Sequence, residues 1–197
     1  MSAAIVTNQP VPVAAANRFR IGAWVVIAGI VMLFTALTSA YIVRSASSND
    51  WQQVAMPKVL WLSTSLILIS SAMIEIARRS LKHMGDRGYS RWLMITMTLG
   101  LAFLATQLLA WRQLARQGVY MASNPYNSFF YLLTATHGLH LLGGILGLAY
   151  LLVRTTRRRS TVEGELRRIG AVDGATIYWH FMAALWVALF FLLFFWK

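Results

Sequence analysis

Residues 134–147, Thr-Ala-Thr-His-Gly-Leu-His-Leu-Leu-Gly-Gly-Ile-Leu-Gly, lie inside an apolar run from Phe129 to Val153. At helical spacing Thr136, His140, Gly143 or Gly144, and Gly147 share one face, and Leu, Ile and Ala make up the rest. A helix rises about 1.5 Å per residue, so a run of this length crosses a hydrocarbon layer of ~30 Å. Inside that layer helices gain nothing hydrophobic by meeting. They associate where small residues let backbones approach and where buried polar groups find partners. Gly143 and Gly147 form a GxxxG pair and are expected to need a close neighbour; His137 and His140 are expected to need hydrogen-bond partners.

The remainder of the chain is of the same kind: 197 residues, 58% hydrophobic and 12% charged, with a mean hydropathy of +0.58. Apolar runs of about 20 residues recur along it, which no soluble core explains. The composition therefore predicts an all-α integral membrane protein with a single membrane domain over residues 18–197, preceded by a flexible tail over 1–17. Cysteine is absent, which excludes a disulfide framework, a thiolate metal site and a thiol nucleophile. The net charge of +12 does not point to nucleic acid, because the basic residues sit in short connections between spans, where topology and anionic lipid account for them.

Five spans are expected, at Gly22–Val43, Pro57–Ala77, Trp92–Trp111, Phe129–Val153 and Asp173–Trp196. Pro57 suits a first helical turn, and Asp173 is read as the cap of the fifth helix. The first span is too long for a signal-peptide core. Thirteen basic residues fall on one side: Arg18, Arg20, Arg78, Arg79, Lys82, Arg87, Arg91, Arg154, Arg157, Arg158, Arg159, Arg167 and Arg168. Five fall on the other: Arg44, Lys58, Arg112, Arg116 and Lys197. The positive-inside rule then puts the N-terminus in the cytoplasm and the C-terminus outside.

Few residues could carry chemistry. His137 and His140 stand on the fourth span and His180 on the fifth. A haem held by two histidines needs ligands converging on the iron; reckoned from the span ends, His137 and His180 fall in different leaflets, so the reading is of hydrogen-bonded histidines that fix helix contacts. Glu75 is the one carboxylate placed inside a span, where an ionisable group is a functional hypothesis by default. Arg78 and Arg79 follow it at i+3 and i+4, so an interfacial ion pair is the plainer alternative. Asp50, Asp86, Glu163, Glu165 and Asp173 are read as solvated, in loops or at a cap. No Ser-His-Asp arrangement, phosphate loop or carboxylate pair emerges, and the chain is not expected to catalyse alone.

Five stretches resemble subunit III of the haem-copper oxidases: FTALTSAYIVR (Phe34–Arg44), LWLSTSLILISSAMIEIAR (Leu60–Arg78), QLLAWRQL (Gln107–Leu114), THGLHLLGG (Thr136–Gly144) and YWHFMAALW (Tyr178–Trp186). They occur in order and on the corresponding helices, over about Phe19 to Lys197. The resemblance implies a helical bundle packed beside subunit I, without haem or copper of its own, that supports proton uptake and durability of the catalytic subunit and binds phospholipid in a cleft. By the same token Glu75 matches the family's carboxylate on that helix, and His137, His140 and His180 match its packing histidines. Arg78, Arg79 and Arg154 fall where lipid headgroups or the cytoplasmic surface would meet them. Haem and copper are expected in partner chains, with subunit I as the main contact, and subunit II, subunit IV or another small helical chain as further ones. The resemblance also implies a bacterial cytoplasmic membrane location.

Two departures qualify the match. The family's long form has seven helices and the five here resemble the last five, so another chain would supply the missing wall of the lipid cleft. Ala183 stands where the family commonly has an acid. Alternatives left open are the similar subunit of nitric oxide reductases, and a donor that is cytochrome c or quinol. A self-contained b-type cytochrome predicts a Soret band in the isolated chain. A transporter predicts flux in liposomes, though no inverted repeat or Pro-broken pair of spans is present.

Overall fold

The computed structural model describes residues 13–47, 51, 56–83, 85–155 and 162–196. Five helices make up nearly all of them: α1 (Val13–Ser47), α2 (Val59–His83), α3 (Gly85–Arg116), α4 (Pro125–Thr155) and α5 (Val162–Phe195). Each contains a segment long and apolar enough to cross a membrane. The tail read over residues 1–17 lies outside the described residues as far as residue 12, and α1 takes in Val13 onward.

The helices are longer than the spans expected from the sequence, at 35, 25, 32, 31 and 34 residues. Helix formation does not stop where hydrocarbon stops, because Arg, Lys, Gln and Glu are good helix formers and carry a helix on into water. Asp173 shows the consequence. It was expected to cap α5, but α5 begins at Val162 and Asp173 lies within it. Asp86, Glu163 and Glu165, expected in loops, likewise belong to α3 and α5, while Asp50 lies outside the described residues.

Local chemistry sets the ends that are sharp. The Leu60 and Trp61 amides donate to the Pro57 and Lys58 carbonyls at 3.1 Å, so the chain turns into α2 directly after the proline. α3 closes on Gly118, whose φ of 77° suits glycine; the Val119 amide there donates to Leu114 at 3.0 Å. Asn124 Oδ1 accepts from the Tyr126 amide at 3.0 Å and opens α4, with Pro125 as its first residue.

α2 packs chiefly on α3 and α1 chiefly on α5, with α4 against α3 and α5. Large side chains such as Trp24, Met32, Leu139 and Leu146 stay exposed on the outside of the bundle, as a lipid-facing surface requires. Inside, polar contacts tie the helices. Gln107 Nε2 donates to Ser63 Oγ at 2.9 Å and Trp186 Nε1 to Thr64 Oγ1 at 3.0 Å. One heptad further along α2, Trp179 Nε1 donates to Ser70 Oγ at 3.1 Å, and Ser70 Oγ donates to the Thr96 carbonyl at 3.0 Å. Trp111 Nε1 reaches Thr134 Oγ1 at 3.2 Å, joining α3 to α4.

On α4 the glycine packed tightly by a neighbour is Gly144 rather than the GxxxG pair, and the close backbone approach falls at Gly174, where a Cβ would lie 2.9 Å from the Phe19 carbonyl oxygen. A Cβ on Gly144 would lie 2.9 Å from the Tyr178 ring and 3.2 Å from the Trp179 ring, and one on Gly100 would lie 3.0 Å from Trp179. A Cβ on Gly143 or Gly147 would meet nothing within 4 Å. Gly143 and Gly147, expected to need a close neighbour, therefore have none among the described residues. Gly143 and Gly144 differ by one residue, about 100° around the helix, and only Gly144 faces α5.

Candidate functional site: a charged cluster on α2 and α5

Glu75 lies almost a helical turn before Arg78 and a full turn before Arg79, and both guanidinium groups fold back onto it. Arg78 donates twice, Nε to Oε2 at 2.9 Å and Nη2 to Oε1 at 2.8 Å, and Arg79 Nε donates to Oε1 at 2.8 Å. The remaining arm of Arg78 reaches across to α5, where Nη1 lies 3.5 Å from Asp173 Oδ1. Two carboxylates and two guanidiniums therefore balance, which lets four ionised groups sit at the edge of an apolar layer.

The two arginines are not equivalent. Arg79 is 74% exposed and its contact stays within α2, so it behaves as a surface pair worth about 0–1 kcal/mol. Arg78 is 38% exposed and is the member that spans two helices. One turn deeper, Ser71 Oγ lies 2.6 Å from His180 Nδ1, while His180 Nε2 stands 3.9 Å from Glu75 Oε2. Ser71 and His180 thus hydrogen-bond across the α2–α5 seam, and the half-exposed His180 ring stands beside Glu75 without bonding it.

The other histidines lie elsewhere. His137 is buried among the rings of Phe34, Phe103 and Trp186, at centroid distances of 6.5, 5.8 and 5.3 Å; neither ring nitrogen bonds another described group. His140 Nδ1 donates to the Thr136 carbonyl at 2.8 Å, and the Tyr178 hydroxyl donates to the His140 carbonyl at 2.7 Å. His137 sits at the level of Trp186, whereas His180 is engaged with Ser71, so the two do not converge on a common point. Among the described residues no three His, Cys, Asp or Glu gather as a metal site would need.

Sequence reasoning missed two members of the cluster, Ser71 and Asp173. A signal for Ser71 was present in the Ser63-Thr64 and Ser70-Ser71 pairs, seven residues apart on one stripe of α2. Arg154, at the far end of α4, meets its own turn: Nη1 donates to the Tyr150 hydroxyl at 3.2 Å and the guanidinium lies 5.8 Å over that ring. Between α1, α4 and α5 opens an apolar groove of about 450 Å³, lined by Phe19, Gly22, Val26, Gly143, Gly147 and Ala175 among others.

The family model for cytochrome c oxidase subunit III matches residues 7–197. The chain belongs to that family. It is 31% identical over 183 residues to a Mycobacterium bovis protein named "Probable cytochrome c oxidase subunit 3", covering 91% of this chain and 88% of that one. It is 29% identical over 178 residues to the protein of the same name from Nocardia farcinica, covering 88% and 86%. A third relative, "Cytochrome c oxidase subunit 3" of Bacillus subtilis, is 28% identical over 178 residues, covering 88% and 84%. As a subunit III the chain is a multi-pass bacterial membrane protein and part of a haem-copper oxidase complex with other oxidase subunits. The stretch that carries Glu75, Arg78 and Ser71 and the stretch that carries His180 meet in one cluster at the α2–α5 seam.

Proposed function

We propose that the chain is the accessory, cofactor-free subunit of a proton-pumping terminal oxidase that reduces dioxygen to water, supporting assembly, proton uptake and durability of subunit I. The redox centres, haem and copper, belong to partner chains. Subunit I is the main contact, subunit II and a small helical subunit are further ones, and the relatives' names point to cytochrome c as the donor. The observation that carries this reading is the Glu75 cluster: a carboxylate held at the edge of its span by Arg78 and Arg79, and linked to α5 through Asp173. A carboxylate held ionised by two guanidiniums at the edge of its span can fix the α2–α5 seam against an adjoining subunit and shape the field that protons entering that subunit meet. Arg78, Arg79 and Arg154 supply cationic ends for phospholipid headgroups, and another chain closes the cleft that the long form builds with its first two helices.

In this reading Glu75→Gln assembles normally and lowers turnover or its persistence, most at high pH where protons are scarce. Arg79→Gln gives a smaller defect. Oxygen consumption against pH, followed over many turnovers, tests it; wild-type behaviour of Glu75→Gln across the range removes the functional role.

The cluster faces the cytoplasm if the N-terminus is inside, as the basic residues at that end favour. A reporter between Thr155 and Val162 is then cytoplasmic and one after Lys197 external. Exchanged locations would refute this orientation, and matching ones would mean that a span was miscounted.

A further inference from the structure

Taking the chain to be an oxidase subunit, as proposed above, we propose that His140 Nε2 accepts a hydrogen bond from a hydroxyl or indole N–H on a transmembrane helix of a neighbouring oxidase subunit, seated against Gly143 and Gly147. The first observation is the direction of the other bond. His140 Nδ1 lies 2.8 Å from the Thr136 carbonyl oxygen; a carbonyl only accepts, so Nδ1 carries the hydrogen. In the neutral ring Nε2 is then left with a lone pair and no hydrogen. No donor among the described residues meets it. The ring packs edge-to-face with Phe34 at a centroid distance of 5.9 Å, a neighbour with no N–H or O–H to give.

The second observation is depth. His140 stands at the midpoint of a 31-residue helix, so either end is about 22 Å away along the axis. Acyl chains carry no donors, and headgroups and water lie beyond reach of the middle of a ~30 Å layer. An acceptor left bare there is costly. A donor at that depth therefore comes from protein, on a helix that crosses the layer.

The third observation is room. His140 is only partly buried, and Gly143 and Gly147 on the adjoining turns are exposed. A Cβ on either glycine would meet nothing within 4 Å. Both glycines line the groove between α1, α4 and α5, with Phe19 and Gly22 on its α1 wall. A second helix can approach this strip to backbone distance, with its donor level with His140.

The test is competition within the whole complex. Wild-type and variant chains, separately tagged and expressed at equal levels in one host, are counted in the purified oxidase. His140→Leu should be under-represented about three- to twentyfold, the range measured for single interhelical hydrogen bonds in membranes. His140→Gln, which keeps an acceptor, should recover most of the loss. Gly143→Leu adds a side chain where this chain has space, so its thermal unfolding in detergent should match wild type while it is largely excluded from the complex. Equal representation of His140→Leu and Gly143→Leu, with wild type present in the complex, would overturn the inference and leave the subunit reading standing. Absence of the wild-type chain from any oxidase would instead overturn the subunit reading.

Discussion

Truncating Trp179 to Ala should destabilise the bundle by about 3–5 kcal/mol, the range for emptying a well-packed aromatic site. Trp179 is fully buried. Its ring fills the space left by two glycines on different helices, Gly100 on α3 and Gly144 on α4, where a Cβ would come within 3.0 and 3.2 Å of it. Its indole N–H ends on Ser70 of α2, whose hydroxyl passes on to the Thr96 carbonyl of α3. One α5 side chain thus touches three other helices. In a membrane little hydrophobic gain repacks such a void, because lipid and interior are equally apolar and only contact is lost. Trp179→Phe keeps most of the ring and loses the donor, while Ser70 retains its bond to Thr96, so a cost of about 1–2 kcal/mol is expected. Unfolding of the purified chain by a denaturing detergent measures both. A Trp179→Ala chain within about 1 kcal/mol of wild type would mean that the four helices are not locked at this point.

Replacing Arg78 by Met should give the next largest effect. It removes the one group among the described residues that bonds Glu75 and Asp173 together, so α2 and α5 lose that ionic link and both carboxylates lose a partner at the edge of the apolar layer. The cost should be about 1–3 kcal/mol, toward the lower end because the guanidinium is 38% exposed. Arg79→Met should cost less than about 1 kcal/mol, since its pair is short-range and open to solvent. Pairing Arg78→Met with Asp173→Asn should cost less than the sum of the two, because the second change removes the charge that the first leaves alone. Strict additivity would place Asp173 outside the network.

Those two sites differ in how far the sequence alone could lead to them. The number and order of the spans are legible because each apolar run exceeds what a soluble core can use, and the family is legible because its five stretches fall in order. Glu75 with Arg78 and Arg79 is also legible, since i, i+3 and i+4 contacts are local. The link from Arg78 to Asp173 joins residues 95 apart in the chain, and the one from Ser71 to His180 spans 109; nothing in local periodicity announces either. Asp173 was read as a cap because an acid before an apolar run suits a helix start, but α5 already had its first turns in the polar segment from Val162. Gly144 and the GxxxG pair are hard to tell apart from spacing, because periodicity defines a face of a helix without saying whether that face meets its own chain or another. Here Gly144 meets its own chain, and Gly143 and Gly147 are left open.

The most direct test of the account is to purify the complex through a tag on this chain in mild detergent, and to record haem, copper and the co-purifying chains alongside the spectrum of the isolated chain. A cofactor-free subunit III predicts that haem and copper arrive with larger oxidase subunits and that the isolated chain has no Soret band. A haem band from the chain by itself, or recovery of the chain with no oxidase subunit attached, would contradict it.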